Sequence, residues 1–200
     1  MIKHNCITVV ILKSSIKQRQ INFAGNERLK IYGTLSCKSG KRMNIENRVF
    51  FTSENEAIEN GYRPCGHCMK EKYKNWKDEL YKYISGIIQN NKHKLLAING
   101  MPDHIHILFG FRPIQSLSDL MQDIKGSSSK WINDKKLGGG KFEWQSGYGA
   151  FSYSKSQVKD VINYIENQEE HHKKISFKEE YISFLKKFEI DRSKQMRRLG

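Results

Sequence analysis

Two histidines one residue apart give the first sign of chemistry in this sequence. His104 and His106 lie in the apolar run GMPDHIHILFG, residues 100–110. Side chains alternate between the two faces of a strand, so a strand here would point both imidazoles to the same side. Two imidazoles a few ångströms apart can bind one divalent ion, but a tight site needs a third ligand. Taken alone, an H-x-H pair is more simply explained by two hydrogen-bonded or solvent-facing histidines.

A later segment supplies a candidate for the third ligand and a candidate nucleophile. Residues 154–173 have the pattern of a helix that begins at a serine, and they contain Tyr164 and Gln168. The spacing of four places both side chains on one helical face. A glutamine carbonyl is a neutral oxygen ligand for Mg²⁺ or Mn²⁺, and a phenol beside a metal-bound phosphate can act as a nucleophile. Without the histidines, Tyr164 would be interpreted as an ordinary core aromatic.

The cysteines form a second pattern, confined to the first third of the chain. Cys65 and Cys68 make a C-x₂-C pair in RPCGHC, and Cys37 lies upstream. In a reducing cytosol this spacing favours metal or redox chemistry over a structural disulfide. Three thiolates predict a zinc ion, with His67, Cys6 or a water as the fourth ligand. The alternative interpretation is three ordinary buried cysteines.

The charge of the chain indicates a polyanionic partner, most simply nucleic acid. The net charge is +14, with 14 Lys/Arg against 6 Asp/Glu in residues 1–76 and 21 against 15 in residues 77–200. Solubility alone would also explain such an excess. No apolar stretch approaches the roughly 18–20 residues of a membrane span, and the run at residues 7–12 is too short for a signal peptide. We therefore expect a cytosolic protein with no membrane partner.

The elements needed to position these residues follow from periodicity and capping signals. Residues 7–19 are ambiguous between helix and strand. From residue 77 onward the pattern predicts helix, strand, strand, helix, strand, helix, which is an α+β arrangement with an antiparallel sheet. The predicted strands are 48–53, 94–101, 104–111 and segments around a glycine turn in 141–153; the predicted helices are 53–61, 78–91, 116–134, 154–173 and 176–190.

The second part of the chain resembles the single-tyrosine transposases of the HUH endonuclease superfamily, the insertion-sequence transposases and their REP-associated relatives. The resemblance covers roughly residues 77–190 and includes DLMQDIKGSSSKWIN, FEWQSGYGAFSYS and VINYIENQEEHH. It implies a ferredoxin-like antiparallel sheet with helices. It also implies that Tyr164 attacks a phosphodiester of single-stranded DNA, forming a 5′-phosphotyrosine and freeing a 3′-hydroxyl. His104, His106 and Gln168 would hold Mg²⁺ or Mn²⁺ at the scissile phosphate.

The same resemblance implies a homodimer that recognises single-stranded DNA with hairpin ends. His171 and His172 are candidates for further metal ligands, but we interpret them as a polar helix end near the helix dipole. Candidate DNA contacts, through phosphates and base stacking, are Arg112, Lys125, Lys130 and Trp131.

The first part of the chain resembles the N-terminal zinc domain of the Ada methyl-phosphotriester repair proteins. The shared features, over roughly residues 17–76, are an IY segment with a cysteine and EAIENGYRPCGHC. The family places two cysteines four apart after IY, whereas this chain has Gly33 at the first place and Cys37 at the second. Since the first cysteine is the family's methyl acceptor, the resemblance implies zinc binding by Cys37, Cys65 and Cys68 without methyl transfer.

These resemblances divide the chain into an Ada-like α/β metal-binding domain, residues 1–76, and a transposase domain, residues 77–200. The first strand of the transposase fold is missing between residues 69 and 80, so either residues 7–12 replace it or the sheet lacks it. The function predicted first is a DNA transposase. A second interpretation is a catalytically inert, zinc-containing DNA-binding fusion. A third, a zinc-dependent sensor of alkylation damage, is disfavoured by Gly33.

Overall fold

The computed structural model of the chain describes residues 1–135 and 142–189. In chain order, the strands are β1 (Ile2–Lys3), β2 (Phe23–Asn26), β3 (Ile31–Thr34), β4 (Arg48–Phe51), β5 (Arg63–Pro64), β6 (Lys94–Met101) and β7 (His104–Gly110). The helices are α1 (Val9–Lys17), α2 (Lys38–Lys41), α3 (Glu54–Glu59), α4 (Lys70–Asn90), α5 (Leu117–Asp134), α6 (Val158–Glu166), α7 (Gln168–His171) and α8 (Phe177–Lys187). The α+β class and the antiparallel strand pairing predicted from the sequence are confirmed.

Two compact units make up the structure. One contains Met1–Tyr83 and Lys125–Glu143, and the other contains Ile84–Ile124 and Trp144–Gly200, each over its described residues. The helices α4 and α5 each contribute residues to both units. The domain boundary predicted at Trp76 falls inside α4.

A five-stranded sheet forms the first unit, with strand order β1-β4-β2-β3-β5. Its neighbours are antiparallel except β3 and β5, which are parallel. The strand predicted over residues 48–53 is β4, which ends at Phe51, and the short helix predicted over residues 53–61 is α3. Ser53 accepts a hydrogen bond from the backbone N–H of Glu56 at 3.0 Å, which caps α3. The core beside the sheet consists of Tyr32, Val49, Phe51, Ala57 and Tyr62.

The ambiguous N-terminal segment is helical. Thr8 caps α1 by accepting a hydrogen bond from the N–H of Ile11. Residues 7–12 therefore do not supply a replacement strand. No strand lies between residues 69 and 80, because α4 begins at Lys70, eight residues before the predicted start at Asp78.

A hairpin of β6 and β7 is the sheet of the second unit over its described residues. The predicted strands and the turn at Pro102-Asp103 are confirmed, with Met101 opposite His104. Gly100 permits this close pairing, because a Cβ on residue 100 would lie 2.3 Å from the carbonyl oxygen of His104. The glycine therefore allows the hairpin that presents the histidine pair.

The strands predicted in residues 141–153 are wrong for residues 142–153, which form no strand; residue 141 lies outside the described residues. At Phe142 the backbone hydrogen bonds show the reason. Its N–H donates to Asn133 Oδ1 at 2.7 Å, and its carbonyl accepts from Asn133 Nδ2 at 3.0 Å. A side chain of α5 thus satisfies the groups that a strand neighbour would otherwise bind.

The helix predicted over residues 154–173 is divided into three pieces. A 3₁₀ turn over Lys155–Gln157 precedes α6, and Asn167 separates α6 from α7. The predicted serine cap is confirmed, since Ser154 and Gln157 form a capping box.

The remaining predicted helices are confirmed as α5 and α8, which Ser116 and Ser176 cap. Residue 190, the last of the predicted final helix, lies outside the described residues. Within residues 1–135 and 142–189, no helix has the length and apolar character required to cross a bilayer.

Candidate active site and metal centres

The histidine pair lies on one face of β7, as its spacing predicts. The ring centroids of His104 and His106 are 5.0 Å apart. His104 Nδ1 lies 2.8 Å from Asp103 Oδ1, and this contact is the main reason why the pKa of Asp103 is lowered. A carboxylate on Nδ1 directs Nε2 of His104 toward the interior, where a metal ligand is needed.

Tyr164 and Gln168 approach the histidine pair from α6 and α7. Gln168 is fully buried, and its Oε1 lies 3.4 Å from His104 Nε2. The Tyr164 ring is 5.9 Å from the His106 ring, centroid to centroid. The two residues remain together across the helix break, since Gln168 Nε2 donates to the Tyr164 carbonyl at 3.4 Å. The structure therefore brings together the tyrosine and the three predicted ligands.

Asn99 on β6 attaches the tyrosine helix to the sheet. It lies directly opposite His106 in the strand pair. Its Nδ2 donates to the carbonyls of Ile165 and Glu166 at 2.9 and 3.0 Å. These carbonyls lie at the end of α6, where the helix leaves them without intrahelical partners. One side chain thus connects the end of α6 with the strand position next to His106.

Glu180 on α8 occupies the centre of the site, and sequence reasoning missed it. The side chain is only 4% exposed. Its Oε2 lies 3.6 Å from His104 Nε2 and 3.4 Å from His106 Nε2, and its Oε1 accepts a hydrogen bond from the Tyr164 hydroxyl. Burial opposes ionisation, but the contacts with His106 and Tyr164, together with the charges of His106 and His104, lower the pKa of Glu180 to about 2. The carboxylate is therefore ionised at neutral pH.

His171 and His172 lie beside the same carboxylate, whereas the sequence analysis assigned them to a polar helix end. Their Nε2 atoms lie 3.4 and 3.5 Å from Glu180 Oε1. His172 Nδ1 contacts the carbonyl of Ile175 at 2.8 Å, an arrangement that leaves Nε2 as the free ring nitrogen. His171 Nε2 is 3.4 Å from the Tyr164 hydroxyl.

The donor set fits a divalent cation. One candidate ligand atom from each of four residues lies within 4.8 Å of the others: His104, His106, His172 and Glu180. The Nε2 atoms of His106 and His172 are buried and have no hydrogen-bond partner among the described residues. Leaving buried polar atoms unsatisfied costs free energy, and a cation bound between imidazole nitrogens and a carboxylate would remove that cost.

The Tyr164 phenol is neutral in this environment. Its pKa is raised, first by burial and then by the hydrogen bond to Glu180. The phenol also lines a cleft of about 590 Å³, together with Lys174 and Lys187. The cleft is also lined by Asp160, Glu179 and Glu180, so the candidate nucleophile lies beside a cleft of mixed charge.

A thiolate cluster in the first unit forms the second candidate metal centre. Cys37, Cys65 and Cys68 present sulfur atoms within 4.8 Å of one another, and Cys37 and Cys65 are 3.8 Å apart. A tetrahedral zinc ion with Zn–S bonds of about 2.3 Å has sulfur atoms about 3.8 Å apart. Burial alone would raise the pKa of the Cys37 thiol, but the Gly40 amide and the other two thiols lower it. The predicted set of three thiols therefore has the spacing of a zinc site.

Gly33 lies beside the three thiols of this centre. Among the described residues, the three cysteines are the only histidine, cysteine or acidic residues grouped at this centre. Cys6 and His67, which the sequence offered as a fourth ligand, are exposed and lie outside the group. A Cβ on residue 33 would lie 2.7 Å from Cys68 Sγ and 3.8 Å from Cys65 Sγ. Position 33 therefore faces the thiols directly, but glycine has no donor to offer.

The four residues predicted to contact DNA are not sequence neighbours of the predicted metal ligands. They differ in how exposed their side chains are. Arg112 and Lys130 are exposed. Lys125 is half-buried, and burial lowers its pKa. The Trp131 ring stacks on Tyr83, with centroids 4.9 Å apart and an interplanar angle of 17°. One face of the indole is thus already engaged within the first unit.

The fold and these sites define an α+β protein with a histidine and carboxylate centre beside a tyrosine, and a separate thiolate cluster. Two known protein families match parts of this chain. Residues 68–168 match the IS200-like transposases, and residues 11–71 match the metal-binding domain of Ada. The first match covers half of the chain, so this protein belongs to the IS200-like transposase family.

Two relatives come from Deinococcus radiodurans. The ISDra2 transposase TnpA is 28% identical over 97 residues, which span 46% of this chain and 69% of that protein. A crystal structure of a protein proposed to be a transposase is 28% identical, covering 46% of this chain and 74% of that one with a TM-score of 0.35.

Proposed function

We propose that this protein is a DNA transposase that cleaves and rejoins single-stranded DNA through Tyr164 in a metal-dependent reaction. The observation that supports this proposal most strongly is that the candidate site residues lie close together. Tyr164, His104 and His106 come from a helix and a strand and contact one buried carboxylate, and Gln168 contacts His104. Membership of the IS200-like family supports a transposase function independently of this geometry.

In the proposed reaction, the Tyr164 phenol oxygen forms a bond to phosphorus as the bond from phosphorus to the 3′ oxygen breaks. The phenolic proton is released and the departing 3′ oxygen takes up a proton, leaving a 3′-hydroxyl and a 5′-phosphotyrosine. A divalent ion bound by His104, His106 and Gln168 would stabilise charge on the phosphoryl oxygens and favour loss of the phenolic proton. One phosphoester bond replaces another, so a second 3′-hydroxyl can reverse the step without ATP.

The proposal also gives roles to the first unit and to the basic charge of the chain. We assign Zn²⁺ to Cys37, Cys65 and Cys68, and a DNA-gripping role to that unit. The net charge of +14 favours a nucleic-acid substrate. Arg112, Lys125, Lys130 and Trp131 stay proposed contacts with single-stranded DNA that carries hairpin ends, and the active form is proposed to be a homodimer in the cytoplasm.

The second candidate function is a catalytically inert DNA-binding fusion. It is favoured by the second unit's sheet, which is only a two-stranded hairpin over the described residues. A two-stranded sheet is marginal without further packing. In this case the protein would bind single-stranded DNA but would not form a covalent bond to it.

A covalent-adduct assay separates the two candidates. The native protein and Tyr164→Phe are incubated with a labelled single-stranded hairpin and Mn²⁺, and the products are run on a denaturing gel. We expect a shifted protein–DNA band from the native protein alone, lost on chelation of the metal. Retention of the hairpin on a native gel, with no denaturation-resistant band from either protein, would support the inert fusion instead.

A further inference from the structure

The residue at the centre of the candidate active site lies outside the segment that defines the family. The family match ends at residue 168, whereas Glu180 lies on α8. Its carboxylate contacts the Nε2 atoms of both members of the histidine pair and also the phenol. The roles proposed for the histidine pair, Gln168 and Tyr164 do not explain why a carboxylate is buried at this position.

The two carboxylate oxygens of Glu180 face different groups. Oε2 lies on the side of His104 and His106, at 3.6 and 3.4 Å. Oε1 accepts the hydrogen bond from the Tyr164 hydroxyl. Oε1 also lies 3.5 Å from Nε2 of His172, another member of the candidate ligand group. One oxygen is therefore directed at the histidine pair, and the other at the proposed nucleophile and His172.

Packing fixes α8 in the orientation that this arrangement needs. Ser176 and Glu179 form a capping box at its beginning. Phe177 stacks on the His104 ring with centroids 4.6 Å apart, and Phe184 lies 5.9 Å from the Tyr164 ring. Glu180 comes three residues after Phe177 and four before Phe184, so all three lie on the helix face that covers the site.

We propose that Glu180 is a further ligand of the divalent ion and also the positioning group that holds the Tyr164 phenol beside it. The inference rests on the proposed function. Carboxylate oxygens are preferred ligands of Mg²⁺ and Mn²⁺. A buried carboxylate is costly unless it is paired or coordinates a metal. Glu180 and His172 add to His104, His106 and Gln168, and an octahedral ion held by these five groups would keep one position for a phosphate oxygen.

Direct metal binding tests the ligand role without relying on catalysis. Mn²⁺ affinity is measured by titration calorimetry on the full chain for the native protein, Glu180→Gln, Glu180→Ala and Glu170→Gln. Glu170 is a matched control, because it is an exposed carboxylate on α7. Both Glu180 variants should lose about tenfold or more in affinity at the histidine site, while Glu170→Gln binds like the native protein. Native affinity in a folded Glu180→Ala protein, with folding checked by circular dichroism, would overturn the inference.

Adduct formation at saturating Mn²⁺ tests the positioning role. Glutamine keeps an acceptor for the phenol but not the charge, whereas alanine removes both. Glu180→Ala should therefore form adduct more slowly than Glu180→Gln, and both more slowly than the native protein. Equal rates in all three would overturn the positioning role. If the native protein binds Mn²⁺ through Glu180 but forms no adduct, the proposed function fails and the ligand role of Glu180 stands.

Discussion

The two candidate metal centres differ in how many ligands the chain supplies. The thiolate cluster offers three sulfur atoms, and the residue that faces them at position 33 is a glycine, which has no donor. The histidine centre offers more donors than the predicted set of three, because Glu180 and His172 join it. The first is suited to a soft ion with an open position, and the second to a harder ion held firmly enough to orient a substrate.

This difference shows what each centre is suited to do. Cysteines gathered around one ion hold a small domain together, because zinc binding and folding are coupled. The histidine centre combines candidate ligands with a phenol that lines a cleft. Chemistry on a substrate is therefore expected at the second centre, and the first is expected to be structural.

Removal of two thiols should have the largest effect. In Cys65→Ser combined with Cys68→Ser, a single thiol of the cluster remains, so zinc binding and the stability of the first unit should be lost together. Elemental analysis of the purified proteins measures the zinc, and thermal unfolding measures the stability. Equal zinc content in the native and variant proteins would contradict the assignment of a zinc site to these cysteines.

Loss of the Asn99 side chain should have an intermediate effect, confined to the histidine centre. Asn99→Ala leaves the carbonyls of Ile165 and Glu166 without their hydrogen bonds, at a cost of about 1–3 kcal/mol. Because α6 carries Tyr164, adduct formation should slow while zinc content is unchanged. Chemical denaturation and the adduct assay measure these effects, with the exposed Asn163→Ala as control. Native stability and native adduct rate in Asn99→Ala would contradict the anchoring role.

Adding a fourth thiol should have the smallest effect and would sharpen the contrast between the centres. Gly33→Cys places a sulfur donor next to Cys65 and Cys68 and should tighten zinc binding, by about tenfold if one coordination bond is gained with modest strain. Gly33→Ala adds the same Cβ, 2.7 Å from Cys68 Sγ, without a donor and should weaken binding. Competition with a chromophoric chelator measures both affinities. Weaker binding by Gly33→Cys than by Gly33→Ala would show that position 33 is not the open ligand position.

Local patterns in the sequence account for the parts of the structure that were predicted correctly. Alternation gave β6 and β7 and placed His104 and His106 on one face, and capping serines marked the beginnings of α3, α5 and the segment of α6. These features depend on neighbours a few residues away. The ligand spacing of Cys65 and Cys68 is local in the same sense.

The parts that could not be predicted depend on distant contacts. Nothing next to Phe142 in sequence announces that Asn133 satisfies its backbone. Glu180 is one of two adjacent glutamates in a charged helix, and only its position between Phe177 and Phe184 indicates burial. That signal places Glu180 on the apolar face of α8, but it does not reveal which residues the carboxylate meets.

The proposed function depends on the formation of a covalent bond between Tyr164 and DNA at the histidine centre. It is tested most directly by digesting the native protein after incubation with Mn²⁺ and a single-stranded hairpin, then locating the attached nucleotide by mass spectrometry. We expect a nucleotide phosphate on the peptide that contains Tyr164, and none when Mn²⁺ is withheld. A nucleotide attached to another residue, or no modified peptide from a protein that binds both Mn²⁺ and the hairpin, would contradict it.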